Sequence, residues 1–364
     1  MTDSLTDLSE FHDDMRAVVR DILGRPGSHH GPAWETVVGS GWLGFEVPGE
    51  FDGADATFAE VAVVLREIGR AAAPGRYPAV AVLALGALGM LESCPDRDRL
   101  LRDIVSGTCV PVLAVAGEPT GRTPFRLEHV PGGAVLDGTA PFVLGAPGAD
   151  RILVPAEEPD GTTVIVDVGP KTPGMVVTEQ PVIDATRSFG SVLAAGLRVQ
   201  PESVWRFRGD SGEAIGFLHA RAAVAVACDS LGLSEAMLDA TVAYVGAREQ
   251  FGRKIGSFQA VKHACADMLV QVTVARRLVD AAVRGIASGD ADAPVAASMA
   301  KSYACSAAVE ISGKAMQLHG GMGYTWESGI HVYLKRATLN RSLFGSPALH
   351  RARVAERYRT AFRD

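Results

Sequence analysis

Aromatic residues are scarce in this 364-residue chain, 6% of the total, and lysine and arginine gather into no basic tract. With a formal net charge of −7 besides, the chain carries no electrostatic footprint for nucleic acid. Cysteines are few and scattered: Cys94, Cys109, Cys228, Cys265 and Cys305 form no C-x-x-C pair and are odd in number. This excludes a disulfide frame and a zinc site, leaves no metal to be expected, and fits reduced thiols packed as small apolar groups in a cytoplasmic protein. Long apolar runs are missing too. The longest, from Tyr77 to Leu91, is interrupted by Pro78, Gly86 and Gly89 and is too short to span a bilayer, so a buried helix and no membrane association are expected. The first residues, MTDSLTDLSEFHDD, are acidic and lack the basic-then-apolar order of a signal peptide.

What is present is an ordinary globular balance, 47% hydrophobic and 21% charged, in a chain long enough for two or three packed lobes. Residues 1–107 read as helical. Ser4 and Asp7 have the spacing of a capping box before Phe11, Met15, Val18, Val19 and Ile22, and Ala59 to Arg70 repeats the apolar period. The Gly- and Pro-rich stretch from Gly41 to Gly53 marks a loop between them. Residues 108–200 form short β-type runs, VPVLAVA, AVLDG, FVLGA, RILVPA, TVIVDV, MVVTE and SVLAAGLRV, parted by turns, as in a small antiparallel barrel or sandwich. Residues 201–364 return to long helices, Ala214–Arg248, Phe258–Ile286, Ala293–Leu318 and Ala348–Phe362, whose apolar faces suit an antiparallel four-helix bundle that also buries surface against other subunits. The fold class expected is α+β in three parts: helical domain, central β domain, helical bundle.

Two segments carry chemistry. In AREQFGRKIGSFQAVKH, Ala247 to His263, a long helix ends near Arg248, a Gly252/Gly256 loop follows, and a new helix begins around Ser257. A cationic fork and free amides beside a helix terminus make a seat for a diphosphate, with Arg248 supplying bidentate charge, Gln250 a neutral hydrogen bond and Phe251 an apolar wall. The second segment, QLHGGMGY, contains Gln317, Leu318 and His319 followed by glycines at 320, 321 and 323, which permit close backbone approach to a ligand. Each has a plainer reading, a solvated helix–turn–helix and a glycine C-cap.

Taken together, R-x-Q-F-G-x-x-I-x-x-F-Q and Q-x-H-G-G-x-G-Y resemble the acyl-CoA dehydrogenase family, and the resemblance covers essentially the whole chain. GWLGFEVPGEFDG is similar to that family's Gly-Trp…Pro-Glu…Gly-Gly loop, and Glu118-Pro119, Asp137-Gly138-Thr139 and Asp184-Ala185-Thr186-Arg187 match its β-domain motifs. The resemblance implies FAD and dehydrogenation of an acyl-CoA thioester at Cα–Cβ: a carboxylate base takes the α-proton while the β-hydrogen leaves as hydride. It implies a dimer of dimers in which each FAD is shared between two subunits, and an electron-transfer flavoprotein as electron acceptor. The half of the site offered to a neighbour is intact, with Arg248, Gln250, Phe251, Gln259, Gln317, Leu318, His319, Gly320 and Gly321 in place.

The half that holds the flavin ring departs from the pattern. Gly117 replaces a Thr, Leu144 replaces a hydroxyl residue, and Phe142 replaces a Trp while remaining able to stack. The base departs further. Phe344 occupies the place of Glu in the turn before the last helix, and the alternative position on the helix before Arg248 is Ala222. Asp229, seven residues on and about 10.5 Å along the same helix, is the nearest acid and the candidate base, against a plainer role paired with a basic group in the bundle. His219 and Arg221 lie on the same helix near the proposed pocket, and Glu327, His331, Lys335 and Arg336 read as structural. Three readings are therefore open. They are a homo-oligomeric dehydrogenase with a displaced base, a subunit completing the FAD site of a Glu-bearing homologous chain, and a flavoprotein oxidase or monooxygenase of the same fold.

Overall fold

The computed structural model describes residues 2–24, 31–117, 123–325 and 328–361. Glu118, Pro119 and Glu327 lie outside the described residues. Two compact units emerge, one made of Met1–Pro32, Ala62–Pro74 and Ala223–Asp364, the other of Ala33–Val61 and Gly75–Ala222.

The second unit holds the eight-stranded sheet. Its strands are β1 (Pro111–Leu113), β2 (Phe125–Val130), β3 (Gly133–Leu144), β4 (Arg151–Glu157), β5 (Thr163–Val168), β6 (Met175–Glu179), β7 (Phe189–Val199) and β8 (Val204–Trp205). They run in the order β6-β7-β3-β2-β4-β5-β8, with β1 beside β4. The expected β region is present, but its sheet is mixed: β1 and β2 both pair with β4 in parallel. β4 and β5, an antiparallel pair, are buried at nearly every position, so both of their faces are covered. β2 carries no clear strand signal in its sequence, because Arg126, Glu128 and His129 dilute its apolar content while Phe125 and Leu127 alone enter the core. AVLDG and FVLGA belong to one strand, β3, interrupted by register shifts against β7.

Before the sheet, the expected helix between Tyr77 and Leu91 takes a different form. Pro78–Ala84 is a π-helix that continues as helix α4 over Leu85–Leu88, and the same unit carries helices α2 (Trp34–Gly39) and α5 (Pro95–Val105). Arg221 explains how the wide turn is supported: its Nε donates to Val82 O at 2.7 Å and its Nη2 to Ala81 O at 3.0 Å, so carbonyls in the widened turn have a cation to bond.

The first unit is helical. Helix α1 spans Thr2–Leu23, so Ser4 falls inside the helix rather than capping it. Helix α3 (Phe58–Ala71) and helix α6 (Ser211–Ala247) cross closely, because Gly69 and Gly232 lack side chains: a Cβ at Gly69 would lie 2.0 Å from Asp229 O, and one at Gly232 1.8 Å from Arg66 O. Helix α7 (Gln259–Ser288) buries Met268, Val272, Ala275, Val279 and Ala282, the stripe its period predicts. Helix α8 (Ala293–His319) is Ala-rich and buried along most of its length, with α7, helix α9 (Ile330–Ser342) and helix α10 (Pro347–Ala361) packed on it. Ser211–Ala247 is long and apolar enough to cross a membrane, and 72% of its most apolar window is buried within the protein.

Candidate functional site

The chemistry-bearing segments meet at one end of the helical unit. Tyr244, in the last turn of α6, stacks on His319, the last residue of α8, with ring centroids 4.3 Å apart. Its hydroxyl donates to His319 O at 3.3 Å, while His319 Nδ1 is 2.7 Å from Ala315 O. His319 is thus a packed residue whose role is to join the two helix ends. After α6, where the Gly252/Gly256 spacing predicts a loop, Glu249–Gln250 and Arg253–Lys254 form a two-stranded hairpin. Phe251 (φ 53°) and Gly252 (φ 73°) occupy its tip, the double left-handed geometry of a tight hairpin turn. The turn lifts Phe251 to 92% exposure, edge-on to Phe258 at 6.3 Å, and Arg253 stacks over Phe258 at 4.0 Å.

After α8, Gly320 turns the backbone at φ 59° into a short 3₁₀ turn, Gly320–Tyr324. Gly320 and Gly321 are exposed, and a Cβ at either would meet nothing within 4 Å. Gln250, Gln259 and Gln317 are exposed, and Leu318 is half-buried. Two helices end here, so their dipoles oppose an anion, and positive charge must come from side chains. Arg248 is exposed and makes no ion pair among the described residues. An available guanidinium, neutral amides and an open glycine backbone fit a diphosphate.

In the other unit, Phe142 sits where β3 departs from its register with β7, between Ala140 and Val143. It is 41% exposed and holds φ 50°, rare for an aromatic residue. Gly117 N–H donates to Phe142 O at 3.1 Å, so Gly117 still contacts this segment through its backbone, having no hydroxyl to offer. Leu144 is partly buried against the sheet core. In the D-A-T-R motif, Asp184 Oδ1 accepts from Thr186 N–H at 3.0 Å and Thr186 Oγ1 at 2.7 Å, a local turn.

The positions expected to carry a base are apolar and buried. Ala222 is 1% exposed. Phe344 is 4% exposed at φ 53°, in a turn clamped by two buried groups. Lys301, fully buried, donates Nζ hydrogens to Asn340 O, Arg341 O and Gly345 O at 2.9, 3.3 and 3.0 Å. His350 places Nε2 3.0 Å from Phe344 O and Nδ1 3.2 Å from Ser298 Oγ. Burial lowers the affinity of both for a proton, and pushes His350 down to about 4.

Asp229 is buried, as its apolar neighbours imply, and is bound on both oxygens. Arg336 Nε and Nη2 reach Oδ1 and Oδ2 at 2.9 and 2.5 Å, and Asn340 Nδ2 adds a bond to Oδ1 at 2.7 Å. Arg336 is itself fully buried and donates to Ala73 O at 2.9 Å. Proton uptake by Asp229 would break this ion pair and strand a buried guanidinium. Arg221 likewise is no surface group: it pairs with Glu46 through both terminal nitrogens and lies 4.5 Å over the Phe58 ring. Among the described residues no cluster of three or more His, Cys, Asp or Glu could hold a metal.

Residues 9–108 match the acyl-CoA dehydrogenase N-terminal domain, and residues 215–359 the acyl-CoA dehydrogenase C-terminal domain. The chain belongs to the acyl-CoA dehydrogenase family. It is 31% identical over 303 residues to the acyl-CoA dehydrogenase IpdE2 of Mycolicibacterium smegmatis, covering 83% of this chain and 79% of that protein. It is 31% identical over 326 residues to the acyl-CoA dehydrogenase FadE34 of Mycobacterium tuberculosis, covering 88% of this chain and 42% of that protein. Among solved structures, the ChsE4–ChsE5 complex of Mycobacterium tuberculosis aligns with a TM-score of 0.85 at 24% identity, over 95% of this chain and 96% of that one, a likeness of fold.

Acyl-CoA dehydrogenases are FAD-dependent oxidoreductases acting on CH–CH bonds, so the family supplies the reaction class. Within that family frame, several residues were missed by sequence reasoning. Tyr244 could have been found, since it lies one helical turn before Arg248 and faces the same end of α6. Arg336, Asn340, Lys301 and His350 could not. Their partners are distant in sequence, and a buried cation leaves no periodic signature.

Proposed function

We propose that this chain is a subunit of an FAD-dependent acyl-CoA dehydrogenase oxidising the Cα–Cβ bond of an acyl thioester. The carrying observation is the Tyr244–His319 junction, which brings the exposed Arg248, without an ion pair among the described residues, and the open Gly320-Gly321 backbone to the same end of the helical unit. In this reading Arg248 neutralises the FAD diphosphate of a neighbouring subunit. Gln250, Gln259, Gln317 and the amides near Leu318, His319, Gly320 and Gly321 complete its hydrogen bonds, and Phe251 walls the adenosine side. Phe142 stacks against the ring in the chain's own β domain. FAD, when bound, supplies the acceptor for the hydride leaving the β-carbon, and an electron-transfer flavoprotein is the natural acceptor thereafter.

The α-proton needs a carboxylate, and Asp229 is bound to Arg336 through both of its oxygens. That observation, with Phe344 and Ala222 buried at the two family positions, favours a second reading in which the base comes from a homologous Glu-bearing subunit. FadE34, of which this chain spans 42%, has length for a second unit of this size in one polypeptide. Oxidase or monooxygenase chemistry has no specific observation in its favour.

The test is flavin content. Arg248→Ala should lower FAD per chain several-fold in the purified assembly, alone or co-expressed with a Glu-bearing homologue; unchanged content refutes the diphosphate site. One FAD per pair of unlike chains, with bleaching by acyl-CoA only in the pair, selects the second reading. Bleaching by the chain alone selects the first.

A further inference from the structure

Phe142 combines three features that rarely occur together: a large exposed ring, a left-handed backbone, and a peptide held at both ends. Its place between Ala140 and Val143, where the register with β7 slips from Val192 to Gly190, is a β-bulge, a device that re-aims a side chain out of the alternation of its strand. Such a conformation carries a steric cost and persists only where neighbours over-determine it. The neighbour on the carbonyl side is Gly117. On the amide side it is Gln180, whose Oε1 accepts the Phe142 N–H at 2.6 Å. Gln180 is well founded for this task. It directly follows β6, and its own N–H donates to Phe189 O at 2.8 Å, so its backbone is tied to the start of β7 while its side chain reaches past that strand to the bulge in β3.

We propose that Gln180 is a positioning residue that holds Phe142 in its presenting conformation, so that the ring forms a rigid stacking face for the planar heteroaromatic end of the cofactor. This rests on the reading that the β domain holds the flavin ring. The logic is one of pre-organisation. An unrestrained Phe142 would relax to an extended backbone and turn its ring back toward the alternation of β3. Binding a planar ligand would then have to restore the bulge first. With Gln180 in place that conformation is already formed, and offset stacking of two rings needs no rearrangement.

The experiment uses the full chain in its flavin-binding assembly, with 4-fluorophenylalanine at position 142 and the variants Gln180→Ala, Gln180→Glu and Phe142→Ala. Glutamate keeps the acceptor oxygen that alanine removes. In the flavin-free protein, the ¹⁹F signal of residue 142 should be a single line that shifts or splits in Gln180→Ala and returns in Gln180→Glu. In the unlabelled assembly, the FAD dissociation constant should rise about tenfold in Gln180→Ala, with an altered visible band shape, and recover in Gln180→Glu. Combining Gln180→Ala with Phe142→Ala should weaken FAD no further than Phe142→Ala alone, because Gln180 acts through the ring. An unmoved ¹⁹F line in Gln180→Ala overturns the clamp. A moved line with unchanged FAD affinity and spectrum overturns the stacking role and, with it, the placement of the flavin ring on this face.

Discussion

Removing Asp229 distinguishes a structural carboxylate from a catalytic one. In the folded protein Arg336 is fully buried, pairs with Asp229 through both carboxylate oxygens and donates to Ala73 O. Asp229→Ala therefore removes the carboxylate that faces this desolvated guanidinium, which costs about 3–5 kcal/mol. Replacing both partners with apolar residues of similar shape, Asp229→Leu with Arg336→Met, removes the stranded charge and should recover most of that loss, since well-packed apolar pairs often equal a buried ion pair. Urea unfolding followed by circular dichroism reads both numbers, and with Asp229→Leu and Arg336→Met also measured singly the double-mutant cycle gives the coupling energy. A single variant within about 0.5 kcal/mol of the parent would refute the ion-pair assignment, because that is the range of an ordinary surface change. So would a double variant that keeps its fold and flavin in a bleaching-competent assembly yet loses bleaching by acyl-CoA, since this would make Asp229 the base.

Other consequences follow from the same geometry. His350 is neutral in the fold, its proton affinity pushed down to about 4 by burial, whereas in the unfolded chain it titrates near 6.5. The unfolded state then binds more protons between those values, so His350's contribution to stability is complete above about pH 6.5 and is lost progressively toward pH 4, up to about 3 kcal/mol. Unfolding free energies of the parent should fall over that window more steeply than those of His350→Asn; equal slopes would count against the buried imidazole. Lys301→Met strips Nζ from three carbonyls in the turn that holds Phe344, at a cost of about 3 kcal/mol, measurable as a lowered urea midpoint. Gly69→Ala drives a methyl to within 2.0 Å of the Asp229 carbonyl, backbone that cannot swing aside, and should cost more than about 3 kcal/mol or abolish soluble protein. A stable, native-like Gly69→Ala would mean that α3 and α6 are not so closely crossed.

The amino-acid sequence alone determined where most of the elements lie. Apolar periods of 3.6 marked α3, α7, α8 and α10 within a residue or two, and β-type runs between turn residues marked most of the sheet. These signals are local, arising from one face of one element, and so are legible without neighbours. The Arg248 and Gly320-Gly321 segments were legible because glycine and arginine mark backbone approach and anion charge wherever they stand. Only the tertiary structure decided what depends on partners far apart in the chain. It joined Tyr244 to His319, engaged Asp229 with Arg336 across 107 residues, and opened a π-turn at Pro78–Ala84 on which Arg221 bonds. Periodicity reports that a position is buried. It does not report whether a buried charge meets its counter-ion, as Asp229 meets Arg336.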